Sequence, residues 1–252
     1  MKFIVKETKE EVAKLGADLV ERVIRRDPAC VLGLATGSSP VELYRELARR
    51  HQAGKLDFSQ VQTVNLDEYI GLNESHDQSY HFFMKENLFD HINIDMKNTH
   101  VPIGDAEDPE AEARRYENLL KKMEPCAIQL LGIGVNGHIG FNEPGADFKL
   151  DTHVTSLTKE TITSNARFFN SADEVPNLAI TMGMGSILRA RRIILIALGQ
   201  SKANAVKALE DAIITPRVPA TILKVHPDLV VICDKAAASL LDPANIVDDI
   251  SV

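Results

Sequence analysis

The chain has 252 residues, 44% of them hydrophobic and 25% charged, which is ordinary globular composition and suits one large α/β domain or two small ones. Its formal net charge is -8, and its basic pairs (Arg25-Arg26, Arg49-Arg50, Arg114-Arg115, Arg191-Arg192) are scattered among acids, so it lacks the basic stripe that a nucleic-acid partner calls for. The longest apolar run, Ile193 to Leu198, is too short to span a bilayer, and Met1–Glu7 carries too short an apolar run for a signal peptide, so the expected setting is the cytoplasm, with no membrane partner.

Taken in chain order, short apolar runs alternate with helical patterns. Phe3–Val5 reads as a strand, and Lys9 to Arg26 as a helix, with Val12, Leu15, Leu19 and Val23 at helical spacing. Val31–Ala35 is the next strand and Pro40 to Arg50 the next helix. Val61–Leu66 is a strand; helices follow at Ser79–Phe89 and Pro109–Met123. Ala127–Ile133 is a buried strand and Thr158–Phe169 is weakly helical. Arg192–Leu198 is a very apolar strand, Ser201–Ala212 a helix, and Leu229–Cys233 a last strand before a short Ala-rich helix. Near-continuous apolar strands separated by helices predict a Rossmann-like α/β fold: a doubly wound, mostly parallel sheet with helices on both faces. No low-complexity tract, linker or repeat divides the chain, so one domain over 1–252 is expected. The polar, turn-rich stretch from about 142 to 176 reads as a lid.

Four segments carry chemistry. The run Gly134-Val135-Asn136-Gly137-His138-Ile139-Gly140-Phe141-Asn142-Glu143-Pro144 directly follows a strand, where open α/β sheets bind ligands, and it crowds Asn136, His138 and Glu143 onto one glycine-rich loop. After the second strand, Ala35-Thr36-Gly37-Ser38-Ser39-Pro40-Val41-Glu42 predicts an N-cap at Ser39, Pro40 at the first helical position and a capping box to Glu42. Thr36, Gly37 and Ser38 would then lie over a helix N-terminus, a site for an anion. Gly199-Gln200-Ser201-Lys202-Ala203 repeats that design, with Ser201 as a plausible cap and Lys202 adding a cation; Arg167 is a further candidate cation. Asp67, after the third strand, reads either as a general base or as a helix N-cap or loop carboxylate, and Glu68 as its neighbour or a cap. The histidines show no metal-ligand spacing, so no metal and no cofactor are expected. Cys30, Cys126 and Cys233 form no C-x-x-C and sit in or beside apolar runs, so they read as buried hydrophobes.

Together, Leu34–Pro40, Asn65–Leu72, Gly134–Pro144, Asn165–Phe169 and Gly199–Ala203 resemble, in order and over essentially the whole chain, the glucosamine-6-phosphate deaminase family, also called glucosamine-6-phosphate isomerase. The resemblance implies conversion of glucosamine 6-phosphate and water to fructose 6-phosphate and ammonia. It implies that Asp67 moves the C2 proton to C1, that His138 opens the pyranose ring, and that Glu143 and Asn136 orient it. It also implies that Gly37, Ser38, Ser39, Arg167 and Lys202 hold the phosphate. Many members carry Asp where this chain has Asn136; an Asn can hydrogen-bond the imidazole but adds no charge, which leaves the electrostatic role to Glu143.

Two rivals stand beside this reading. The 6-phosphogluconolactonases share the fold and a Gly-His loop but lack the Phe141–Pro144 continuation and differ at the Asp67 turn. A non-enzymatic sugar-phosphate sensor would carry an added DNA-binding segment, which is not seen before Phe3. Some deaminases are hexamers activated by N-acetylglucosamine 6-phosphate. In the corresponding stretch here, Ala146, Asp147, His153 and Thr155 replace the hydroxyl and basic ligands of that effector, with Lys149 the one substitute, and the chain ends in an acidic tail. A monomer without that activation is therefore expected.

Overall fold

The computed structural model describes residues 1–123, 125–166, 169, 171 and 174–248. In chain order the elements are β1 (Lys2–Lys6), α1 (Lys9–Arg26), β2 (Val31–Leu34), α2 (Val41–Gln52), β3 (Gln62–Asn65), β4 (Asp67–Tyr69), α3 (Tyr80–Asn87), β5 (Thr99–His100), α4 (Pro109–Lys122), β6 (Ile128–Leu131), β7 (His153–Ser156), α5 (Lys159–Asn165), β8 (Leu178–Thr181), α6 (Met184–Leu188), β9 (Ile193–Ala197), α7 (Ala203–Glu210) and β10 (Leu229–Asp234).

Seven strands form one parallel sheet in the order β1-β10-β9-β6-β2-β3-β5. Its central strands β2, β6, β9 and β10 are mostly apolar because both faces are covered. In β9, Ile193, Leu195 and Ala197 enter the core on one face, and Ile194 and Ile196 the core on the other. Helices α1, α2 and α3 cover the second face through Val12, Leu19, Leu43, Leu47 and Met84. Helices α4, α6 and α7 cover the first through Tyr116, Ile187 and Val206. Each fully buried Leu, Ile or Val among them contributes roughly 1.5–3 kcal/mol.

Local sequence explains the helix boundaries. Thr8 caps α1 by accepting from the Glu11 N–H, Glu10 and Glu11 lie in its first turn, and Arg25 and Arg26 in its last, each matching the helix dipole. Asp108 caps α4 with Pro109 inside the first turn. Helices α1 and α2 are clamped by the buried Arg50, which pairs at 2.7 Å with Asp18, Glu21 and Glu46.

From β2 the chain proceeds to β3 and β5 on one side; from β6 it proceeds to β9 and β10 on the other. The sheet therefore has its topological switch point between β2 and β6, and a crevice opens beyond their carboxyl ends.

A second, three-stranded antiparallel sheet, β4-β8-β7, has no counterpart in the sequence reading. It pairs Asp67 with Thr181, and His153 with Thr181 on the other side. Asp67 thus opens a strand; it is neither a helix cap nor a loop residue. The stretch read as a lid is in part built into the body. His153–Ser156 is strand β7, and the Thr152 N–H and Oγ1 both donate to the buried Glu117 of α4, at 2.9 and 2.7 Å.

Three cap expectations also change. Pro40, not Ser39, occupies the N-cap of α2 with no side-chain cap, and Glu42 pairs with Arg45 and Lys9 rather than closing a capping box. Ser201 lies inside a 3-10 turn, Gln200–Lys202, and α7 begins only at Ala203. The Ala-rich segment after β10 forms turns, not a helix. Cys30 and Cys233 are buried as expected, Cys126 is half-buried, and burial pushes all three thiols up to about 12.

Candidate active site

The crevice at the switch point holds a cavity of about 140 Å³. The turn after β2 supplies Thr36, Gly37, Ser38 and Ser39; the loop after β6 supplies Asn136 and His138; β4 supplies Asp67; and Lys202 comes from the turn after β9. These eight sequence-derived candidates therefore face one space. Glu143 stands behind His138, outside the lining. Arg167 lies outside the described residues.

The His138 loop is tightly self-bonded. The Gly134 N–H donates to the His138 carbonyl at 2.9 Å, and the Gly137 N–H to the Gly134 carbonyl at 3.1 Å. A Cβ on Gly134 would lie 2.4 Å from the His138 ring, so only glycine admits the imidazole there. The Asn136 Oδ1 accepts from the His138 backbone N–H at 3.1 Å, and the Asn136 Nδ2 donates to Glu143 Oε2 at 3.0 Å. Asn136 thus fixes the loop and the carboxylate; its expected hydrogen bond to the imidazole is not among the contacts it makes. His138 Nδ1 lies 3.3 Å from Glu143 Oε2, close enough for an ion pair but out of line for a hydrogen bond.

Glu143 also accepts a hydrogen bond from the Thr161 hydroxyl of α5. Burial alone would raise its carboxyl, but His138, Thr161 and Asn136 outweigh that and hold it at about 2. It is an ionised carboxylate beside an imidazole, able to stabilise a proton arriving on His138.

Asp67 has the opposite character. It is 5% exposed, and burial first, then the charge of Glu68, hold its carboxyl well above the usual range. Gly140, at φ 56°, passes so close that a Cβ there would sit 3.2 Å from Asp67 Oδ2. A carboxyl with raised basicity in a closed corner is suited to removing a proton from carbon.

The far end of the cavity is built from backbone and small side chains: the Thr36–Ser39 turn, with Gly37 at φ 90°, and Lys202. The Gly199 N–H before Lys202 donates to both oxygens of Asp234, at 3.0 and 2.9 Å, which ties that turn to β10.

Sequence reasoning did not single out Tyr80 or Thr161 and quoted Asn165 only within a motif. Tyr80, Thr161 and Asn165 line the cavity, and Asn165 Nδ2 donates to the Tyr69 hydroxyl at 2.8 Å. Thr158, which caps α5 by accepting from the Thr161 N–H, was the available signal for the helix that carries two of them. Tyr69, Tyr80, Phe141 and Phe169 form one aromatic cluster behind this wall. Among the described residues no helix is long and apolar enough to cross a membrane, and no group of His, Cys, Asp and Glu has the placement to hold a metal ion.

Comparison with known proteins gives a consistent picture. The family model described as glucosamine-6-phosphate isomerases/6-phosphogluconolactonase matches residues 5–231. A glucosamine-6-phosphate deaminase of Thermoanaerobacter pseudethanolicus is 52% identical over 241 residues, 96% of this chain and 95% of that one. The solved structure of a monomeric glucosamine-6-phosphate deaminase superposes with a TM-score of 0.93 at 47% identity, over 95% of this chain and 100% of that one. The 6-phosphogluconolactonase of Trypanosoma brucei superposes at 0.76 with 21% identity, over 96% and 98% of the two chains, a likeness of fold alone.

Proposed function

We propose that this chain, which belongs to the family of glucosamine-6-phosphate isomerases and 6-phosphogluconolactonases, is a deaminase that converts glucosamine 6-phosphate and water to fructose 6-phosphate and ammonia. The observation that carries the reading is the pairing, across one cavity, of a buried, raised carboxyl at Asp67 with a His138–Glu143 pair. A relative 52% identical over nearly its full length and named as such a deaminase supports it.

The two turns, with Thr36, Gly37, Ser38, Ser39 and Lys202, hold the phosphate, and Arg167 completes the set. That group takes no part in bond breaking, so its binding energy positions the sugar. His138 exchanges the proton that opens the pyranose ring, and Glu143 stabilises the imidazolium. Asn136 keeps Glu143 and the loop in register. Asp67 removes the proton from C2 and returns it to C1, and water then releases the amine as ammonia. Helix α5 is the part of the lid that reaches the cavity, since Thr161 and Asn165 line it. The enzyme works in the cytoplasm as a single-domain monomer, without activation by N-acetylglucosamine 6-phosphate.

The test of the activity offers glucosamine 6-phosphate and 6-phosphogluconolactone separately and follows ammonia and fructose 6-phosphate. Release of both from the amino sugar is expected; lactone hydrolysis without ammonia release would replace this reading with the lactonase one. Light scattering together with substrate titrations, with and without N-acetylglucosamine 6-phosphate, tests the quaternary and regulatory part. A monomeric mass and effector-independent hyperbolic curves are expected. A hexamer, or a sigmoidal curve straightened by the effector, would refute it.

A further inference from the structure

Glu68 is the most enclosed carboxylate near the cavity, 0% exposed, and the mechanism above does not use it. It neighbours Asp67 in β4, and successive strand residues point to opposite sides. Asp67 enters the cavity; Glu68 turns away, under the first turn of α3. There Oε1 accepts the Tyr69 N–H at 2.8 Å, both oxygens accept the Tyr80 N–H at 2.9 Å, and Oε2 accepts the His81 N–H at 3.1 Å and lies 3.0 Å from His81 Nδ1.

A helix cap does not require this. Ser79 already caps α3 by accepting from the Phe82 N–H at 3.1 Å. Burying a carboxylate is costly unless donors converge on it, and here backbone N–H groups at a helix start supply them. The residue so gripped, Tyr80, lines the cavity with Asp67. Its ring stacks on Phe141 at 6.0 Å, and its side chain meets Tyr69 and Thr36.

We propose that Glu68 is a positioning residue for the reaction: it locks the start of α3 onto β4, so that Tyr80 and Asp67 keep a fixed relation inside the cavity and an anion stands directly behind the base. This rests on the deaminase reading above. Among the described residues, the other titratable groups beside Asp67 or lining its cavity are Tyr69 on its own strand, Tyr80 on α3, Tyr116 on α4, His138 from the loop across the cavity, Glu160 on α5 and Lys202 after β9. Burial raises all three phenols, Tyr69 to about 12, so they stay neutral and contribute no fixed charge near neutral pH. Burial raises the Asp67 carboxyl first, and the Glu68 charge adds to it.

The experiment uses the full chain with Glu68→Gln and Glu68→Asp. Its readouts are kcat, KM for glucosamine 6-phosphate, the acid limb of kcat/KM and, with no substrate present, the Asp67 carboxyl titration followed by carbon-13 NMR of aspartate-labelled protein. With Glu68→Gln, kcat should fall by about tenfold or more while KM stays within about threefold, since the phosphate turns are untouched. The acid limb and the Asp67 midpoint should both move to lower pH. Glu68→Asp, which keeps the charge, should return the midpoint toward wild type and recover part of kcat. If Glu68→Gln does not fold, Glu68→Asp decides through kcat: its shorter carboxylate loosens the grip on the Tyr80 and His81 N–H groups, so kcat should fall severalfold with KM little changed, and an unaltered kcat would overturn the proposal. An Asp67 midpoint unmoved in Glu68→Gln, or a Glu68→Asp variant no better than Glu68→Gln, would overturn the proposal. A wild-type protein that releases no ammonia would instead overturn the deaminase reading, and the Asp67 titration would still decide the part played by Glu68.

Discussion

The two ends of the cavity are built on different physical principles. At the end nearest Asp67 and His138, carboxyls are set by close neighbours: buried Asp67 is raised, and half-buried Glu143 behind His138 is held at about 2. At the other end, proposed to hold the phosphate, a glycine-serine turn and one lysine supply N–H groups, hydroxyls and charge. The first arrangement changes the chemistry of a side chain; the second offers donors to a group that does not react. Substitutions at the two ends should therefore separate into losses of kcat and losses of binding.

The largest break is expected from Asp67→Asn. It preserves shape and removes the base, so kcat should fall by about 10²–10⁴-fold while fructose 6-phosphate still binds, as calorimetry would show. A variant retaining more than about a tenth of wild-type kcat would remove Asp67 from the base role.

His138→Gln should come next, with a loss of roughly 10²-fold in single turnovers on the cyclic sugar and a smaller one on an open-chain analogue, because ring opening alone is assigned to it. Equal losses on both substrates would move His138 to the carbon proton transfer.

At the other end, Lys202→Ala should act mainly on KM. Loss of a charge-assisted hydrogen bond of about 1.5–3 kcal/mol corresponds to a rise of roughly ten- to a hundredfold, with kcat little changed. Unaltered KM would leave Lys202 as a solvated residue of its turn.

The smallest effect concerns stability. Because the folded state depresses the Glu143 carboxyl from 4.5 to about 2, its contribution is fully present above about pH 4.5 and is lost as pH falls toward 2. Wild type should exceed Glu143→Gln in Tm near neutral pH, and the gap should close on acidification through that window. A pH-independent gap would mean that packing, not charge, accounts for it.

The same contrast explains what could be read from the sequence. The strands of the parallel sheet were legible because burial on both faces leaves an uninterrupted apolar run, as in Ile193–Ala197 and Leu229–Cys233. The β4-β8-β7 sheet was not. Asp67–Tyr69 is three residues of polar and aromatic character, and His153–Ser156 is half-exposed and polar; each is a strand only because Leu178–Thr181 pairs with both from afar. The caps at Ser39 and Ser201 were misplaced because the turns bend one or two residues later than their composition suggests. Asp67 and His138, which line the cavity, and Glu143 beside His138 were singled out from strand-end position and motif. Tyr80 and Thr161 escaped, and Glu68 was read only as a neighbour or a cap, because their contacts between β4, α3 and α5 follow no local pattern.

The central claim is that Asp67 takes the proton from C2. Glucosamine 6-phosphate deuterated at C2 tests it most directly, with the position of the label followed by NMR for wild type and Asp67→Asn. The account predicts that wild type strips the label from C2, that it reappears at C1 of fructose 6-phosphate or in solvent, and that the variant leaves it on C2. Loss of the label at a near-wild-type rate in Asp67→Asn, or ammonia released by wild type with deuterium still on C2, would contradict it.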